Sequence, residues 1–323
     1  MVIQMIHNQP FKFYIASCDD TGGIYLCEHK DGTAEILSKT EAEYPMYMTK
    51  NDGKLYVILR KPFRESELSG LVSFDVEEDN SLINPSEIIS TKGVVACHLC
   101  TLDDYVYCVN YLSGSVVRIP DTEVIHSGME IRSTRQETPH THYINTFDGE
   151  FLLCCDLGTD SIYVYDKNLN EVSRAFVPKG HGARHLDFAN GYVYCINELK
   201  STVSVFDYNR GKLVYKTTVN ALPDDYKGES TAAAIRVVDD YLYVSNRGHN
   251  SISVFKIYDG IPELLTTVDC GGASPRDFNI FGNLLVCTNE DSNNVTFFEI
   301  RDGIPVRVDV ELNIKSPLCV IGG

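Results

Sequence analysis

The feature that most restricts how this chain can fold is a repeat. An apolar residue inside a run rich in Val, Ile, Tyr and Phe recurs at Ile24, Leu71, Val116, Ile162, Val203, Ile252 and Val295, at successive spacings of 47, 45, 46, 41, 49 and 43 residues. A polar turn follows each one: HKDG, VEEDN, PDTE, DKNLN, YNRG, IYDG and RDG. Strand-forming runs bounded by Asn, Gly and Asp make antiparallel meanders. Seven meanders at a period near 45 residues predict an all-β chain folded as a seven-bladed β-propeller, whose radial closure leaves only short strand edges. A solenoid of this period would show helical repeats, and a two-domain sandwich gives no reason for seven even copies. The expected organisation is one propeller domain across residues 1–323.

The two ends of the chain fit together as one repeat. The C-terminal SPLCVIGG resembles a first strand, as in SPRDFNIFG at 274–282, with no second or third strand after it. The N-terminal FKFYIASCDDTGGIYLCEHKDG resembles a second and third strand with no first. One blade is therefore expected to close by pairing residues 316–321 with 11–17, the C-terminal strand innermost. The second repeat departs most: KPFRESELSG is inserted after LYVILR and is expected to form an exposed loop.

Bulk properties narrow the function classes. The apolar fraction of 43% supports a sizeable core, yet no stretch reaches the roughly 18 consecutive apolar residues of a membrane span. The start, MVIQMIHNQPFKFY, lacks a basic segment followed by a long apolar run, so a cytoplasmic location is expected. A formal charge of -17 argues against nonspecific binding to nucleic acid or an anionic membrane. Most of the 11 cysteines sit in apolar strand patterns and are expected as reduced thiols. Cys97 and Cys100 are spaced C-x-x-C, but residues three apart on a strand point to opposite faces, which speaks against a metal or redox role. No G-x-S-x-G, G-x-x-x-x-G-K-[ST] or H-E-x-x-H motif is present, and Trp is absent.

Counting back from each anchor aligns the polar residues. Eighteen places before Val116, Val203, Ile252 and Val295 stand His98, His185, Ala234 and Asp277; twenty before Ile162 stands His142, with two extra residues assigned to the TFDGE turn. Arg184 and Arg276 come one place earlier. These residues open the first strand, which lines the channel of a propeller. Tyr111, Leu157, Glu198, Arg247 and Glu290 end the second strand. In an antiparallel pair those places lie at one end of the sheet, so one channel mouth is expected to gather His98, His140, His142, Arg184, His185, Glu198, Arg247 and Arg276. His185 alternates to the face opposite Arg184 and reads as structural. Asp277 and Glu290 read as blade-to-blade partners, and the Asn110, Asn197, Asn246 and Asn289 series as turn chemistry. Several charges converging on one mouth are costly unless paired or used.

Five stretches carry a family resemblance: ACHLCTLDDYVYCVNYLSGSV, TPHTHYINTFDGEFLLCCDLGTDSIYVY, GHGARHLDFANGYVYCINELKSTVSVF, YLYVSNRGHNSISVF and SPRDFNIFGNLLVCTNEDSNNV. Together they resemble the seven-bladed lactonase propellers, which comprise propeller-type 6-phosphogluconolactonase and 3-carboxy-cis,cis-muconate lactonizing enzyme. The resemblance implies a lactone site at the channel mouth, with the family histidine on His142, its arginine on Arg184 and its glutamate on Glu198. His140 stands beside the histidine, and either Arg247 or Arg276 supplies a further arginine. The implied activity is metal-independent, cofactor-free hydrolysis of a sugar δ-lactone such as 6-phosphogluconolactone. In that reaction Glu198 or His142 would be the general base and Arg184 the oxyanion partner. Arg247, Arg276 and His181 would hold a phosphate, with His98 and His140 as further substrate contacts. A muconate-type cycloisomerase and a non-enzymatic propeller binding a partner on one face are the rival expectations. An enzyme should hold Arg184 and Glu198 in one cleft, whereas a scaffold should cap them against neighbouring blades.

Overall fold

The computed structural model describes residues 10–60, 66–128 and 135–323. The strand patterns pair as seven antiparallel sheets, six of four strands and one of five; six of them run from an inner strand outward in chain order, and the seventh takes its inner strand from the C-terminal end. All seven repeat anchors fall on the third strand of their blade and are buried. The packing reason is alternation: apolar residues on both faces of the middle strands meet the neighbouring blades, and the polar outer strands face water. Tight hairpins join the strands. At Asn190 and Gly191 the backbone has φ of 52° and 83°, the pair of left-handed residues that a two-residue hairpin turn requires and that Asn-Gly supplies at little cost.

The first blade closes as its sequence predicts. Its inner strand is the C-terminal Pro317–Gly322, paired with Phe11–Ser17 through Ser17 with Pro317, Ala16 with Cys319, Ile15 with Val320 and Tyr14 with Ile321. Phe13, Tyr14, Ile15, Cys319 and Val320 are fully buried at this seam. In the second blade the outer strand is split into Leu82–Ile83 and Ile89–Ser90, both paired with Gly70–Val76. Residues 61–65 of the inserted KPFRESELSG lie outside the described residues. Among the described residues no helix is long and apolar enough to cross a membrane.

Every inner strand carries a β-bulge at the same place. The pairing slips between Pro317 and Cys319, Pro45 and Tyr47, Ala96 and His98, Thr141 and Tyr143, Ala183 and His185, Ala232 and Ile235, and Pro275 and Asp277. A bulge inserts one residue that pairs with nothing and re-aims its side chain. Leu318, Met46, Cys97, His142, Arg184, Ala233 and Arg276 are thereby gathered at one end of the channel.

Candidate active site

At that end lies a cavity of about 300 Å³. Four of its walls come from bulge residues: Met46, Cys97, His142 and Arg276. Arg60, Tyr111, Glu198 and Arg247, which end or follow second strands, supply the rest together with Val95 and Arg135.

Glu198 is the centre of the charge distribution. It begins a short 3-10 turn, Glu198–Lys200, right after the strand Tyr192–Asn197. Asn197 ties that turn by donating from its amide to Thr202 Oγ1 at 3.0 Å and Ser204 Oγ at 2.8 Å. Glu198 and Leu199 donate their N–H groups to the carbonyls of Gly182 and His181. Gly182 has φ of 72°, and a side chain there would collide with Leu199, so glycine lets the loop before Arg184 approach this closely.

Three arginines converge on the carboxylate. Arg184 Nε donates to Oε2 at 2.7 Å, Arg247 Nη2 lies 3.1 Å from the same oxygen, and Arg135 Nη2 donates to Oε1 at 2.5 Å. Burial alone would raise the carboxyl pKa, but the charges of Arg247 and Arg184, joined by Arg135, outweigh it and hold the group well below the usual carboxylate range. Burial pulls the Arg184 guanidinium down to about 9, against the attraction of Glu198, which leaves it charged at neutral pH. Burial, reinforced by Arg184, drives the His142 imidazole well below its ordinary 6.5, with Glu198 opposing. The imidazole is therefore neutral at pH 7 and can accept a proton.

Two polar atoms here are buried without a partner among the described residues: His142 Nδ1 and Arg247 Nε. Buried donors and acceptors are nearly always satisfied, so an unspent pair on one cavity wall needs a reason.

The predicted site residues divide. His142, Glu198, Arg247 and Arg276 line the cavity. His140 stands at its edge, stacked on Tyr111 at 4.4 Å and bonded through Nδ1 to the Tyr111 carbonyl at 3.0 Å. Arg184 lies beneath the cavity. Its side chain is 2% exposed and spent on Glu198 and, at 2.6 Å, on the Ala233 carbonyl of the sixth blade. The cleft-or-cap test thus splits, with Glu198 in the cleft and Arg184 capped.

His181 does not face the cavity; its Nδ1 bonds Thr202 Oγ1 at 2.9 Å. His98 does not share this mouth either. It lines a second cavity of about 360 Å³ with Tyr47, Tyr143, Asp187 and Arg236. The cause is register: the TFDGE turn carries one extra residue, so Tyr143, not His142, matches His98 and His185. A one-residue slip moves a side chain to the opposite face. His185 lies between the two cavities, its ring 5.2 Å from both His142 and His98. Asp277 bridges to Arg236 of the sixth blade at 2.9 Å, but Glu290 meets Arg276 of its own blade at 3.4 Å, not a neighbouring blade. Cys97 and Cys100 face different cavities.

Arg60 and Arg135 were not predicted. Arg60 occupies the place equivalent to Tyr111, since Leu59 pairs with Gly70 as Asn110 pairs with Ser115. Counting forward from the second strand would have found it, whereas counting back from Leu71 crosses the insertion. Arg135 sits on the connection between the third and fourth blades, where no periodic signal exists.

Residues 12–321 match the family described as Lactonase, 7-bladed beta-propeller. The chain belongs to this lactonase family. It is 34% identical over 294 residues to an uncharacterised protein of Staphylococcus aureus strain USA300, covering 82% of this chain and 84% of the relative. Among solved structures it resembles a candidate 6-phosphogluconolactonase of Bacteroides fragilis, with a TM-score of 0.89, 23% identity and coverage of 99% and 100% of the two chains. It also resembles the Pseudomonas aeruginosa periplasmic gluconolactonase, with a TM-score of 0.87, 20% identity and coverage of 97% and 99%. At those identities the likeness concerns the fold.

Proposed function

We propose that this lactonase-family chain hydrolyses a sugar δ-lactone carrying a phosphate, 6-phosphogluconolactone above all. The observation that carries the reading is the pair of unspent buried groups, His142 Nδ1 and Arg247 Nε, on a wall shared with the ionised Glu198. A lactone carbonyl needs an activated water, a partner for the developing oxyanion and a hold on the rest of the molecule. His142, neutral and on the cavity wall, takes the proton as water attacks the carbonyl carbon. Glu198 keeps its negative charge and stabilises the imidazolium so formed. Arg247, whose side chain lines the cavity, faces the oxyanion, a role that the burial of Arg184 leaves to it. Arg184 positions Glu198. When the tetrahedral intermediate collapses, the ring C–O bond breaks and the imidazolium returns its proton to the departing ring oxygen; the acid product ionises to solvent. Arg276 and Arg60 flank the remaining space and suit a phosphate, which a planar guanidinium binds through two parallel hydrogen bonds.

The test is a rate measurement on 6-phosphogluconolactone and glucono-δ-lactone, each corrected for spontaneous opening. Acceleration of the phosphorylated lactone that is lost in His142→Gln is expected. No acceleration of either lactone would overturn the reading.

A further inference from the structure

The three arginines on Glu198 are not equivalent. Arg184 and Arg247 share Oε2, and both are fixed a second time, to the carbonyls of Ala233 and Ala232. Their side chains are 2% and 14% exposed. Among the described residues Arg135 is the arginine that engages Oε1; its side chain is 48% exposed, and it also reaches the Tyr111 hydroxyl at a long 3.4 Å. We propose that Arg135 is a displaceable counter-ion: it covers Oε1 of Glu198 in the free protein and transfers to an anionic group of the incoming substrate, uncovering the carboxylate when such a substrate binds. The substrate class rests on the lactone-hydrolysis reading above.

The surroundings allow a side chain to move while its backbone stays. The next residue, Gln136, is buried and donates to the Leu157 carbonyl at 2.8 Å and to Asp160 Oδ1 at 2.9 Å. Asp160 in turn accepts from the N–H groups of Gly180 and Gly182, in the loop that leads to Arg184. The chain at 136 is thus tied to the same framework as Glu198, and the guanidinium can swing about its own side-chain torsions without that framework shifting.

Charge supplies the direction. Arg60, Arg135, Arg247 and Arg276 line the cavity, against Glu198. The Arg135 end of its ion pair is half-exposed, so water screens and can replace it more readily than the buried Arg184 and Arg247 ends. A phosphate offers a guanidinium more oxygens and more charge than the one carboxylate oxygen it leaves. A neutral lactone offers no such exchange, and a ligand shifts an equilibrium only by its differential affinity for the two states. Arg135 therefore discriminates twice, by holding the anion and by keeping Glu198 covered when no anion is present.

The experiment compares wild type with Arg135→Gln and Arg135→Lys. The first readout is the ratio of kcat/KM for 6-phosphogluconolactone to that for glucono-δ-lactone. In Arg135→Gln the ratio should fall at least about tenfold, the scale of one charge-assisted hydrogen bond. The phosphorylated substrate should lose through KM, and the neutral one should gain because Glu198 is uncovered. Arg135→Lys, which keeps the charge without the fork, should lie between. An unchanged ratio overturns the proposal. The second readout is independent of turnover: inorganic phosphate should raise the melting temperature of wild type clearly more than that of Arg135→Gln, in which Arg60 and Arg276 are left to hold it. No rise in wild type, or equal rises in both, also overturns it. Should wild type open neither lactone while the phosphate response follows this pattern, the hydrolysis reading fails and the counter-ion exchange stands.

Discussion

Replacing Glu198 with Gln removes one charge and almost no volume, so it isolates what the carboxylate does for its arginines. In the native site Arg184 and Arg135 donate to different carboxylate oxygens, and Arg247 lies against one of them. An amide has one acceptor oxygen. Whichever way the substituted side chain is turned, its NH2 group meets an arginine N–H, donor against donor. Arg184, 2% exposed, also loses its compensating charge with no access to water. Removing one partner of a buried ion pair costs about 3–5 kcal/mol. With an unfolding entropy of about 2.1 cal/mol/K per residue, that cost lowers the melting temperature of a chain this long by roughly 4–7 °C.

The stability contributed by Glu198 also depends on pH. The folded pKa of Glu198 lies well below its ordinary 4.5, so between the two values the unfolded chain binds the extra proton and stability rises with pH. The contribution is fully present above the unfolded pKa and disappears as pH falls through the folded one. Thermal scans of wild type and Glu198→Gln should differ most at neutral pH and converge in acid. Catalysis should fall as well, by about 10²-fold or more in kcat, because a preorganised charge beside the reacting groups is lost. Equal melting temperatures at pH 7, with secondary structure intact, would refute the claim that this carboxylate holds the arginine cluster together.

Three further outcomes are expected. Deleting residues 316–323 removes the inner strand of the first blade, with Cys319 and Val320 fully buried, and should lower the melting temperature sharply or prevent folding; a truncated chain as stable as the full one would contradict the closure. Because burial keeps the His142 imidazole neutral well below 6.5, kcat/KM should stay level as pH falls through the ordinary histidine range, and a half-maximal point at or above 6.5 would exclude His142 as the base. Arg276→Ala should raise KM for the phosphorylated lactone about 10–100-fold with little change in kcat, the pattern of an interaction equal in ground and transition states; an effect confined to kcat would move Arg276 to the reacting centre.

How much of this was legible in the sequence depended on whether the signal was periodic. The seven anchors and the split blade could be read directly, because burial on a middle strand recurs with the blade and the seam needs only complementary fragments. The shared end of Arg184 and Glu198 followed from strand pairing, and Ala183 opposite Asn197 bears it out. Counting failed where a turn changed length. One extra residue in TFDGE, read as two, placed His98 with His142, and period-two alternation turned that slip into opposite cavities. Arg60 was hidden in the same way behind the 61–70 insertion. Arg135 lies on an irregular connection, where no count applies. The inner-strand bulge explains why the errors stayed local. All seven first strands carry it, so it leaves the repeat spacing unchanged and cannot be seen by comparing repeats, yet it sends His142, Arg184 and Arg276 toward one mouth and their successors Tyr143, His185 and Asp277 away from it. Spacing could therefore place a residue on the right strand at the right height. Which cavity it served was set by a backbone irregularity common to every blade, and by whether each turn was counted correctly on the way to it.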